Sequence, residues 1–241
     1  MTTHNTNSGS RERSVEIPAG TRMVRGILRI AREPQGIVAF AHGSGSGRFS
    51  PRNQFVAQAL EDAGLGTLLI DLLEEDEADD RRKVFDIELL ANRLGAAADW
   101  LGLDPETRGL RLGYFGASTG AAAALVAAAR HPEPVGAVVS RGGRPDLARD
   151  ALQDVVAPTL LIVGSRDEDV LELNRQALTL LRCAKELVVI PGATHLFPEA
   201  GALEEVARLA EHWFLRHLSA DSRAHRDPSR TNTVGPIPTT F

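Results

Sequence analysis

Five consecutive residues, Gly116-Ala117-Ser118-Thr119-Gly120, have the types and spacing to present a nucleophile. The segment before them, Leu110–Phe115, reads as a buried strand, and the Ala-rich run Ala121–Ala129 reads as a helix. A serine at such a junction sits on a tight strand-to-helix turn, with its hydroxyl pushed out above the sheet edge. The two glycines are required because a side chain at either position would collide with neighbouring backbone. Taken alone, the pentapeptide also fits a glycine-eased turn before a helix, so the rest of the chain has to decide.

The elements that must position this serine can be read from the hydrophobic pattern. Short apolar runs predict strands over Ser14–Ile17, Arg22–Ala31, Gly36–Ala41, Gly66–Asp71, Leu110–Phe115, Val135–Ser140, Thr159–Gly164 and Glu186–Ile190. Amphipathic stretches predict helices over Arg52–Ala63, Phe85–Leu101, Thr119–Arg130, Asp169–Leu181 and Ala202–Leu218, with a short one near Pro145–Leu152. Pro18-Ala19-Gly20 joins the first two strands, which suggests an antiparallel hairpin. Beyond it, strand and helix alternate, so most of the sheet should be parallel with helices on both faces.

In such a sheet, chemistry collects past the carboxyl ends of the strands. His42-Gly43-Ser44-Gly45-Ser46-Gly47-Arg48 follows one strand and Ser118 another. Arg141-Gly142-Gly143-Arg144, Ser165-Arg166-Asp167 and Pro191-Gly192-Ala193-Thr194-His195 follow the next three. A serine, an acid and a histidine therefore occur in the order Ser118, Asp167, His195, each just beyond its own strand.

That order and placement are those of the α/β-hydrolase triad. The chain resembles the dienelactone-hydrolase-like branch of the α/β hydrolases over about Arg22–Leu218. The resemblance rests on His42-Gly43, the serine turn, Gly164-x-x-Asp167-x-x-Val170 and Gly192-Ala193-Thr194-His195. It implies an α/β-hydrolase fold: a mostly parallel eight-stranded sheet with helices on both faces and a minimal cap. The name-giving dienelactone hydrolases carry a cysteine where this sequence has Ser118, so their substrate does not transfer with the fold. Relatives of this kind also occur fused to phosphoribosyltransferase domains. This chain lacks an acidic pair leading into a Thr-Gly-rich phosphate loop, so transferase chemistry is not expected of it.

The expected chemistry is that of a serine hydrolase cleaving small esters, lactones or thioesters. A serine hydroxyl becomes a nucleophile when a base accepts its proton, and His195 is the expected base. Asp167 would hold the imidazole in the right tautomer. The backbone N–H of Thr119 would face the developing oxyanion, with a second from the glycine-rich loop after His42, that of Ser44 ahead of Gly45. Asp167 could instead cap the helix that begins beside it, as could Asp169, but Asp169 lies further into the helix start. His42 reads as a residue that orders its loop. Cys183 reads as a small filler near a helix end.

Substrate contacts are less sharply marked. Arg48 follows the oxyanion loop, and Arg141 lies directly past a strand, where it could clamp a substrate carboxylate. Each arginine could equally make a surface ion pair of little worth. Phe49, Tyr114 and Phe197 are candidate pocket walls, and the acidic run Glu74–Asp80 reads as a solvated loop. The short stretch between Ser140 and Thr159 leaves room for only a small cap, hence a shallow pocket for small acyl groups.

Composition bounds the rest. The chain has 241 residues, 43% of them hydrophobic, with a net charge of −5, which argues against nucleic-acid and anionic-membrane partners. A small-molecule substrate is the expected partner; the oligomeric state is left open. One cysteine permits no intrachain disulfide and fits a reducing compartment. The polar start has no apolar h-region, so a cytoplasmic location is expected. Residues 1–13 and 219–241 lack apolar periodicity and are expected to be disordered, leaving 14–218 as the α/β-hydrolase domain. No cofactor and no metal are expected. Gly43, Gly45 and Gly47 echo a dinucleotide loop, but G-x-G-x-x-G spacing fails at Arg48 and at Ser50. The alternative to catalysis is an α/β-hydrolase fold kept as a binding module.

Overall fold

The computed structural model describes residues 11–219. Its eight strands are β1 (Arg11–Ala19), β2 (Arg22–Ile30), β3 (Ile37–Ala41), β4 (Gly66–Ile70), β5 (Leu112–Ala117), β6 (Val135–Arg141), β7 (Thr159–Gly164) and β8 (Lys185–Ile190). They form one sheet in the order β1-β2-β4-β3-β5-β6-β7-β8. β1 pairs antiparallel with β2, and β2 antiparallel with β4; every later pairing is parallel. β3 and β5 are buried along their whole length, as expected of central parallel strands covered on both faces.

The helices are α1 (Pro51–Asp62), α2 (Glu75–Ala78), α3 (Arg81–Val84), α4 (Ile87–Leu103), α5 (Thr119–Arg130), α6 (Glu168–Leu180) and α7 (Ala202–Leu218). α1 and α7 cover one face of the sheet, burying Val56, Leu60, Val206 and Phe214 against Phe40 and Phe115. α4 and α5 cover the other, where Leu90, Leu94 and Leu125 join Ala39, Leu68 and Tyr114. Almost all of α5 is buried, and its run of alanines lets it lie close to its neighbours. Local signals set the helix starts. Ser50 caps α1 with Pro51 behind it, and the Asp86 carboxylate accepts from the Leu89 N–H at 3.0 Å at the start of α4.

Two expectations change. β1 begins at Arg11, three residues before the expected strand, because Arg11–Arg13 pair with Leu28–Ile30 across the hairpin. Residues 1–10 and 220–241 lie outside the described residues. The acidic run is not a solvated loop: it folds into α2, and Glu77 within it is only 3% exposed. The Arg93 guanidinium of α4 donates to both Glu77 oxygens, at 2.5 and 2.9 Å, and to the Leu72 carbonyl at 2.7 Å. A buried carboxylate needs such a partner, and only the tertiary fold supplies one from 16 residues away. Between β6 and β7 stands only a 3-10 segment, Pro145–Asp154, so the cap is minimal.

Candidate active site

Ser118 follows β5 directly and precedes α5, with φ 51° and ψ −121°. A non-glycine residue in that region carries strain, and the turn that holds it is enforced by its flanks. A Cβ on Gly116 would come within 2.4 Å of the Ala121 Cα, and one on Gly120 within 2.1 Å of the Ala41 carbonyl oxygen. Backbone therefore passes where those side chains would be. The Ser118 carbonyl accepts from the Ala121 and Arg144 N–H groups at 3.1 and 3.0 Å, which ties the turn between β5 and α5 to the loop that follows β6.

Asp167 and His195 converge from the ends of β7 and β8. Asp167 sits at the N-cap of α6, yet its side chain makes no capping bond. Its Oδ2 instead accepts from the His195 Nδ1–H at 2.6 Å. Asp169, weighed as an alternative from sequence, lies in the first turn of α6 and is exposed. The His195 loop is braced by Glu199, whose carboxylate accepts from the Thr194 N–H at 3.1 Å and from its hydroxyl at 2.7 Å. Those bonds hold the Glu199 carboxyl below its ordinary range. Sequence reasoning missed Glu199, since an acid on a surface loop carries no distinguishing signal.

Ser118 and His195 line one cavity of about 250 Å³ together with Ser44, Arg52, Asn53 and Arg141. A narrow cleft of about 30 Å³ shares Gly43, Ser44 and Ser46 with it and reaches Thr119, Leu73 and Leu90. Ser44 and Thr119 thus face a common space beside Ser118. The loop between them is close-packed: a Cβ on Gly43 would lie 3.0 Å from that of Ser118.

His42 orders that loop. Its Nε2 accepts from the Leu72 N–H at 2.8 Å, so the proton of the neutral ring is on Nδ1 and is donated to the Gly43 carbonyl at 2.9 Å. In a trans peptide the carbonyl and the following N–H point oppositely, so this bond also sets the direction of the Ser44 N–H. Burial pushes the His42 pKa down, which keeps the ring neutral for this role. A continuous polar chain then runs from Gly43 through His42, Leu72 and Arg93 to Glu77.

The other expected substrate contacts are redistributed. Arg48 pairs with Asp71, which also accepts from the Arg48 N–H at 2.6 Å. Together they line a neighbouring cavity of about 480 Å³ with Arg22 and Glu74, which shares Ser46 with the one at Ser118. Charges there neutralise one another, as in the Arg22–Glu74 pair at 2.5 Å. Phe197 is 2% exposed and walls no part of the cavity at Ser118; the Arg141 guanidinium lies 5.9 Å from its ring centre. Tyr114 is fully buried in the core, and Phe49 is 63% exposed beneath Arg48, 4.3 Å away. Aromatic type marks a candidate wall, but strand alternation and packing decide which face it takes. Cys183 is half-buried, its thiol pushed up by burial, as befits a filler.

A model of the dienelactone hydrolase family matches residues 53–220. The chain belongs to that family. It accordingly has the α/β-hydrolase fold. The dienelactone hydrolase of Anabaena variabilis is 56% identical, with a TM-score of 0.84 over 87% of this chain and 99% of its own. Est1E from Butyrivibrio proteoclasticus shares the fold at 17% identity, with a TM-score of 0.72, covering 84% of this chain and 98% of its own. Proteins of two Mycobacterium tuberculosis strains, each named as a phosphoribosyl transferase, are 58% identical over 208 residues, 86% of this chain. The chain spans about half (47%) the length of those relatives. Among the described residues no helix is long and apolar enough to cross a membrane. Nor does any group of three or more His, Cys, Asp or Glu among them offer a metal site.

Proposed function

We propose that this domain is a serine hydrolase that cleaves small carboxylic esters, lactones or thioesters through an acyl-enzyme on Ser118. The observation that carries the reading is the 2.6 Å His195–Asp167 bond, made by a ring that lines the same cavity as Ser118 on its strained turn. With Nδ1–H committed to Asp167, His195 Nε2 is the basic nitrogen. It takes the Ser118 proton as Oγ attacks the acyl carbon, then gives it to the leaving alcohol or thiol. Asp167 stabilises the imidazolium formed in between.

The tetrahedral oxyanion is received by the N–H groups of Thr119 and Ser44. Thr119 opens α5, where helix N–H groups are unpaired and the dipole is positive. Such donors typically lower a barrier by about 3 kcal/mol each, because they are already oriented before charge develops. Water then attacks the acyl-enzyme with His195 again as base. The narrow cleft beside Ser44 and Thr119 favours small acyl groups, and the lone thiol of Cys183 suits the cytoplasm we assign to it.

A fluorophosphonate probe tests the reading, together with hydrolysis of a short-chain p-nitrophenyl ester. Wild type should label and turn over, and Ser118→Ala should do neither while keeping its melting temperature. A folded wild type that neither labels nor hydrolyses would leave the fold as a binding module and overturn the proposal.

A further inference from the structure

The cavity at Ser118 holds a charge imbalance that the triad does not use. Arg141 ends β6, paired in register with Ala117, the residue before Ser118. It is 7% exposed, and its Nε and Nη1 have no hydrogen-bond partner. Arg52, from the first turn of α1, lines the same cavity, and its buried Nε is also unpartnered. Among the described residues, no aspartate or glutamate lines this cavity. Burial, and then the nearby charge of Arg52, push the Arg141 pKa down to about 10, which still leaves its guanidinium cationic at neutral pH.

A buried guanidinium is normally paired, because losing water without gaining an acceptor is costly. Phe197 offers Arg141 the face of a ring, which satisfies none of its N–H donors. Arg52 opposes rather than relieves the charge. The missing partner is an anion, and the open route to it is the cavity that a substrate must enter to reach Ser118. Two arginines lining one cavity with no acidic residue in its lining suit a dianion better than a monoanion. A guanidinium fork also matches phosphate oxygens. Lactone and ester specificity would then be set less by the acyl group, which the narrow cleft keeps small, than by the charge on the rest of the molecule.

We propose that Arg141 and Arg52 form an anion subsite beside Ser118, and that the ester taken by this domain carries a phosphate monoester group. The substrate half of this inference rests on the serine-hydrolase reading; the subsite itself does not. The phosphate stays intact: Ser118 attacks the acyl carbon, the alkoxide leaves with the His195 proton, and the phosphorylated alcohol diffuses away.

Calorimetric titration with inorganic phosphate reads the subsite without any turnover. Wild type should bind phosphate, and Arg141→Met or Arg52→Met should weaken binding by about tenfold or more. Arg52 is partly exposed, so its variant keeps the test open if Arg141→Met fails to fold. Acid release from acetyl esters of 2-hydroxyethyl phosphate, 3-hydroxypropanoate and neutral 2-methoxyethanol then reads the substrate. The phosphate ester should exceed the neutral one in kcat/KM by about tenfold or more through a lower KM, and either variant should bring that ratio close to unity. Phosphate binding without hydrolysis of any ester would support the subsite and sink the serine-hydrolase reading alone. Hydrolysis of the neutral ester with no phosphate binding would overturn the subsite alone. A preference for the carboxylate over the phosphate ester would overturn the dianion assignment.

Discussion

Removing the charge of Glu77 should take a calculable part out of the acid sensitivity of folding stability. Glu77 is buried, and its carboxyl is held at about 2 instead of 4.5, chiefly by the Arg93 hydrogen bonds against an opposing cost of burial. At about 1.4 kcal/mol per tenfold change in proton affinity, that depression corresponds to roughly 3 kcal/mol of folding stability at neutral pH. Because the folded-state value lies below the unfolded one, the contribution is complete well above 4.5 and is lost as pH falls towards 2. Linkage between those two values leaves roughly 1.4 kcal/mol at about pH 3, a loss of about 2 kcal/mol. Urea unfolding of wild type and Glu77→Gln between about pH 7 and pH 3 isolates this part, since every other carboxylate titrates in both proteins. The stability gap between them should narrow by about 2 kcal/mol over that range. Glu77→Ala, which strands Arg93 in the interior, should cost about 3–5 kcal/mol at neutral pH, and Glu77→Met with Arg93→Met clearly less than the two single changes summed. A gap that stays constant with pH, or is below about 0.5 kcal/mol throughout, would refute the assignment of a buried, coupled pair.

Two further outcomes follow from the loop and the turn. His42→Gln should lower kcat by about 100-fold with little change in KM, because the Ser44 N–H loses its orientation. Since burial depresses the His42 pKa, its neutral form stabilises the fold above about pH 6.5, and this is lost as pH falls; melting curves of wild type and variant should converge in acid. Turnover within about twofold of wild type would contradict the positioning role. Gly120→Ala places a methyl 2.1 Å from the Ala41 carbonyl, with no flexible side chain to yield. It should cost about 3 kcal/mol or more in urea unfolding, and a loss under about 1 kcal/mol would show that the turn has slack.

Much of this molecule was legible in its residues. Apolar runs of strand length and 3.6-residue periods located all eight strands and the larger helices to within a few residues, because burial on both sheet faces leaves a strong local pattern. Ser118, Asp167 and His195 stood out because each follows its own strand, and parallel topology brings strand ends to one edge. The glycines of the serine turn were legible for the same local reason: a close approach excludes a Cβ whatever the rest of the chain does.

Partner choice was not legible, because charge pairing depends on distances between segments far apart in sequence. Asp167 abandons its helix cap for a histidine 28 residues away, and Arg48 turns to Asp71 rather than to the cavity. The acidic run could be taken for solvated surface because nothing local marks Glu77 off from its neighbours; only the packing of α4 delivers Arg93 to it. Arg141 is the converse case, an ordinary surface residue by type that the sheet buries beside Ser118 without a counter-ion. Sequence determined the fold and the order of the chemical groups, through local sterics and hydrophobic period. Tertiary structure decided which charges meet and which are left waiting for a ligand, because electrostatic pairing is settled by distance and desolvation, and neither exists before the chain folds.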